Sequence, residues 1–183
     1  MNLPRILLVC CLLAFFANPA RGQQTTVAKY GCQAEELAKA FEDPEDLLVD
    51  LLEAICEEYQ DYVEDSDERN DFSQCHRRSY NVAKLILKEG RGLKQEDAYS
   101  QVRIVRFLKE RVMSHYIVAF DYQGRSYAVD VTRDQFSINY DEETQQRQGD
   151  RVGVYVGGYD AYVKELSDKL QYKFLESEPV KDR

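Results

Sequence analysis

The sequence predicts an α+β fold: a helix headed by a cysteine packs on an antiparallel sheet, with a helical hairpin before it. Three observations carry this. Leu47, Leu48, Leu51, Leu52, Ile55, Cys56, Tyr59, Tyr62 and Val63 keep the three-and-four spacing of a buried helical stripe. Cys75, Ser79, Val82, Ala83 and Ile86 share one face of a second helix. His115–Tyr122 and Arg125–Thr132 then alternate about Gln123-Gly124, a short hairpin signal.

Taken in order, residues 1–22 read as a secretory signal peptide. Arg5 is the basic region, Ile6–Ala17 is an apolar stretch too short to span a bilayer, and Ala20-Arg21-Gly22 sets the cut before Gln23. The product is then secreted or periplasmic, in an oxidising space, with no membrane contact after the leader is lost. The whole chain carries 24 basic and 33 acidic residues. Loss of Arg5 and Arg21 leaves 22 against 33, or −11. That charge argues against nucleic acid or anionic lipid as a partner. Two histidines and scattered acids give no metal-ligand spacing, so neither metal nor cofactor is expected. Residues 23–175 suit one domain.

Residues 23–31 are a polar lead-in, and Cys32–Phe41 is a short helix. Asp43-Pro44 supplies an N-cap and a proline at the first helical position of the next helix. The two helices should run antiparallel about residue 43. Cys32 and Cys56 then lie at similar heights and can form a disulfide. That bridge closes a loop of roughly 25 residues and contributes on the order of 3 kcal/mol in the chain-entropy account. The acidic run 64–74 reads as a loop whose Asp71 or Ser73 caps the helix 74–89, which Gly90 ends. Residues 101–108 form a strand and 109–114 a turn before the hairpin. Residues 139–150, without an aliphatic side chain, form a loop, and Arg151–Val156 a strand. Tyr162, Val163, Leu166, Leu170 and Phe174 mark a last helix, with a disordered tail over 176–183.

With a two-residue turn, paired hairpin positions sum to 247. Tyr116, Val118, Phe120 and Tyr122 then share a face with Val131, Val129 and Tyr127. His115 and Asp130 share the other face as diagonal neighbours. Cys75 is the thiol left over, at a helix start where unsatisfied N–H groups and the helix dipole favour a thiolate. If that helix packs against the His115 face, Cys75 is a nucleophile, His115 its base and Asp130 the group that orients the ring. The backbone N–H of Cys75 and an amide side chain, Gln74 or Asn70, are the oxyanion candidates. His76, about 100° further round the helix, should be exposed or line the cleft rim.

Ser-Gln-Cys-His-Arg-Arg-Ser at 73–79, the strand around Val102–Phe107, His-Tyr-Ile-Val-Ala-Phe at 115–120 and Tyr-Ala-Val-Asp-Val-Thr-Arg-Asp-Gln-Phe at 127–136 follow one another in an order that resembles the papain-like superfamily. The likeness is greatest to its transglutaminase-like and protein-glutaminase branches and to papain-fold toxin domains. It spans residues 70–136. It departs from transglutaminases in placing His76 directly after the cysteine, and Val131 stands after Asp130 where many relatives have proline. The resemblance implies a papain-like core with Cys75, His115 and Asp130 as a catalytic triad. It implies a thiol-dependent amide hydrolase or acyltransferase acting on a protein or peptide, with glutamine deamidation as the leading expectation. A cysteine peptidase or a cell-wall amidase is the alternative within that chemistry. A non-catalytic secreted binding protein with a structural thiol is the alternative outside it. The sequence leaves open whether an inhibitor or immunity partner exists.

Overall fold

Two apolar helical stripes and one alternating hairpin set the architecture. The computed structural model describes residues 26–27, 32–69, 74–90, 100–110, 113–136, 139–141, 146–148 and 153–180. The leader 1–22, the cap candidates Asp71 and Ser73, and the oxyanion candidate Asn70 lie outside the described residues.

Helix α1 (Ala34–Ala38) and helix α2 (Asp46–Arg69) form the N-terminal pair. The Cys32–Cys56 disulfide joins them, with a Cα–Cα distance of 5.0 Å. Two boundaries differ from expectation. The first bonds of α2 run from the N–H groups of Leu48 and Val49 to the Glu45 carbonyl, so Asp43 and Pro44 precede the helix rather than cap it. At the other end α2 continues to Arg69 through the acidic run expected to be a loop. Asp65 there is paired with Arg77 and Arg78 of the next helix, and these cations offset the crowding of acids.

Helix α3 (Cys75–Gly90) follows. Then come strands β2 (Ser100–Lys109), β3 (Met113–Tyr122) and β4 (Arg125–Asp130), with β1 (Thr26–Val27) before α1. The hairpin register is the expected one: Val118 faces Val129 and Tyr122 faces Arg125. Gln123 and Gly124 both sit at positive φ, 48° and 73°, the two-residue turn that matches strand twist. Strand β4 stops at Asp130 rather than Thr132, because the Asp130 carboxylate takes both the N–H and the hydroxyl of Thr132. A 3-10 turn, Arg133–Phe136, follows at once.

Residues 139–150, expected as loop, contain a two-stranded polar ribbon of β5 (Asn139–Asp141) and β6 (Gln146–Gln148). Strand β7 is Tyr155–Gly158, and helix α4, Tyr159–Asp168, is shorter than its apolar spacing suggested. Phe174 is not in that helix, and the tail is not free. Strand β8 (Lys173–Pro179) pairs with β2, so the domain extends past residue 175. The sheet is antiparallel throughout, in the order β1-β7-β4-β3-β2-β8. The lead-in thus supplies an edge strand.

Both sheet faces are covered. One core joins Leu37, Leu51 and Ile55 of the helical pair and Val82, Ala83 and Ile86 of α3 to Val118, Phe120 and Val129. The other joins Ile117, Ala119 and Ala128 to Tyr155, Tyr162, Leu166 and Tyr172. Helix α3 therefore lies on the face opposite His115, which corrects the packing expected from sequence. Its apolar stripe finds its partners in the aromatic and aliphatic face of the hairpin.

Candidate active site

The first turn of α3 passes the start of β3, and this brings Cys75 to His115 although helix and ring belong to opposite faces. The Arg78 N–H bonds the Gln74 carbonyl at 3.0 Å, so Gln74 is the capping position and Cys75 the first helical residue. Ser79 ties the helix to β3 by donating its hydroxyl to the Tyr116 carbonyl at 2.8 Å. The Cys75 Sγ lies 3.7 Å from the Ser114 carbonyl, one residue before the histidine. Cys75 is the free cysteine among the described residues and is 5% exposed.

His115 and Asp130 meet as the register requires. The His115 Nε2 donates to Asp130 Oδ2 at 2.6 Å, with both side chains fully buried. Asp130 has further donors. Tyr162 of α4 donates its hydroxyl to the same oxygen, at 2.5 Å. The Thr132 N–H and hydroxyl take the other oxygen, at 2.9 and 3.1 Å. Burial alone pushes the Asp130 carboxyl up. The His115 charge and hydrogen bond, then Tyr162 and the Thr132 N–H, hold it below the usual carboxylate range. Burial likewise pulls the imidazolium down. The Asp130 charge and hydrogen bond, followed by the hydrogen bond and charge of Cys75, outweigh burial and raise His115 to about 9. The thiol, the ring and the carboxylate are therefore electrostatically coupled.

The amide beside the ring is not one of those expected. Gln74 is buried, and its Oε1 accepts from Arg78 Nε at 3.3 Å and from Arg77. It forms part of an anchor in which Arg78 also reaches Glu58, Asp65 and the Asp61 carbonyl, fixing the head of α3 against α2. Gln135, in the 3-10 turn, lies instead with its carboxamide directly on His115 Nδ1. Sequence reading missed it because the contact spans 20 positions and a 3-10 turn leaves no periodic signature. The one legible hint was Asp130-Val131-Thr132, an aspartate able to end its own strand and start a turn. Phe136 and Tyr172 set their rings edge-on to the imidazole, with centroids at 4.6 and 6.0 Å. His76 is exposed, as expected, with its ring 4.7 Å from that of Tyr116.

Among the described residues no cluster of His, Cys, Asp and Glu could hold a metal ion, and no helix is long and apolar enough to cross a membrane. No protein-family model, curated protein or solved structure matches the chain.

Proposed function

We propose that the protein is a secreted cysteine-dependent amide hydrolase or acyltransferase of papain-like type, with Cys75 as nucleophile, His115 as proton carrier and Asp130 as the group that orients the ring. The observation that carries the reading is the buried chain of contacts from the thiol through the imidazole to a saturated carboxylate. A purely structural histidine does not need a neighbouring thiol, and a purely structural thiol does not need a ring whose basicity an aspartate has raised.

In this reading sulfur attacks the amide carbon as a thiolate, its proton held on Nδ1 of a ring whose basicity Asp130 raises. The carbonyl electron pair moves to oxygen, where the N–H groups at the head of α3 face it. Collapse expels the nitrogen with the proton from Nδ1, leaving a thioester on Cys75. Water, losing a proton to His115, then releases the acid and restores the thiol. An amine in place of water gives a cross-link. Glutamine side chains of proteins are the preferred substrate, which makes ammonia the product.

Ammonia release from casein, measured for wild type, Cys75→Ala and His115→Ala, tests the assignment. Wild type should release ammonia and both variants should lose it. Full activity in either variant refutes these roles. A second reading, a binding domain with a structural thiol, is favoured by the burial of Cys75. It predicts that iodoacetamide alkylates Cys75 only after unfolding.

A further inference from the structure

An imidazole has two nitrogens, and in His115 three side chains claim them. Asp130 holds Nε2. Nδ1 faces the carboxamide of Gln135, and the Cys75 thiol, whose contact adds to the ring's basicity, is left that same nitrogen because Asp130 holds the other. The thiol has another acceptor in the Ser114 carbonyl. A carboxamide can serve the ring in either protonation state. It gives N–H to the lone pair of the neutral ring or, after a half-turn, its oxygen to the N–H of the charged one. Gln135 thus competes with sulfur for Nδ1 whichever form the ring takes.

The backbone that carries Gln135 is fixed on both sides. Asp134 is fully buried and accepts from the Tyr59 hydroxyl of α2 and from the Gly153 N–H, each at 2.9 Å. Arg133 pairs with Glu165 of α4 at 2.6 Å, and the Gln135 N–H bonds the Thr132 carbonyl. A side chain on such an anchored turn can pivot while its Cα stays in place. That is the behaviour of a placed donor rather than of a loose flap.

Resting on the assignment of Cys75, His115 and Asp130 as the reacting set, we propose that Gln135 is a further catalytic residue: its carboxamide occupies Nδ1 while the site is empty, and donates its N–H to the carbonyl oxygen of a bound amide when sulfur takes over Nδ1. The two halves act in opposite directions on two reactions of the same thiol. Alkylation by iodoacetamide displaces iodide from carbon and forms no oxyanion. Acylation by p-nitrophenyl acetate puts charge on the carbonyl oxygen before p-nitrophenolate leaves, so it needs the donor.

Gln135→Met keeps the length of the side chain without its N–H. It should alkylate at Cys75 roughly tenfold faster than wild type, the size of one competing hydrogen bond. Its acylation rate, taken relative to its alkylation rate, should fall by about 100-fold. Gln135→Asn keeps the amide and should restore part of the acylation. Circular dichroism melts show that the variants compared are folded. Alkylation that is unchanged or slower in Gln135→Met overturns the proposal. So does acylation that rises in step with alkylation, which would make Gln135 an obstruction only. If folded wild-type Cys75 reacts with neither reagent, or His115→Ala reacts as fast as wild type, the underlying thiol-enzyme reading fails instead.

Discussion

The two faces of the sheet are made from alternate residues of the same strands, yet they differ in chemistry. Three helices cover one face, where Val118, Phe120 and Val129 meet a stapled helical pair and the stripe of α3. A short helix and a 3-10 turn cover the other, which holds a buried imidazole and carboxylate. Because side chains alternate strictly, a slip of one residue in the hairpin would exchange the two sets. The apolar core and the proposed reactive face are thus separated by a single step along β3, and the head of α3 and the Tyr59–Asp134 hydrogen bond link one side to the other.

The strongest way to break the contrast is to remove the ring. His115→Ala should slow alkylation of Cys75 at neutral pH by about 100-fold or more. It also strands Asp130 as a buried charge, which costs about 3 kcal/mol in urea unfolding. If both numbers stay at wild-type values, the polar face has no special role. The staple tests the opposite side. Cys32→Ser with Cys56→Ser should lower stability by on the order of 3 kcal/mol. Alkylation of the folded protein should change less than about twofold, because the bridge lies in the helical pair and not at the site.

A pH titration separates the faces by sign. His115 is raised from 6.5 to about 9, so the stability it contributes is fully present below 6.5 and is lost as pH rises through about 9. Urea midpoints of wild type should fall across that window, and those of His115→Gln should not show this component. The smallest effect concerns the turn that sets the register. Gln123 is held at φ 48°, a region asparagine tolerates better. Gln123→Asn should add about 0.5 kcal/mol without altering thiol reactivity.

What could be read in the sequence followed from periodicity and from local chemistry. The stripes of α2 and α3, the Gln123-Gly124 hairpin with its register, the Cys32–Cys56 bridge and the place of Cys75 at a helix start were all legible. Several of the errors trace to pairing through the backbone or through distant side chains. Strand β8 exposes Phe174 and Leu175 and joins β2 by main-chain bonds, so no buried pattern announced it. The ribbon of β5 and β6 is likewise joined through its main chain. The acids after residue 63 read as a loop because the arginines that receive Asp65 lie a dozen positions on. The seating of α3 on the face away from His115 could not be read from the face of the helix alone, since a strand end lets its first turn reach both sides.

The order of the sheet has a practical corollary. Its outermost strands are Thr26–Val27 and Lys173–Pro179, the first and last described segments, separated by five strand spacings or about 24 Å. Labels placed on these two strands sit at opposite edges of the sheet, which offers a ready pair of positions for a distance probe. Such a ruler would report splaying of the sheet without a reporter group near the sulfur.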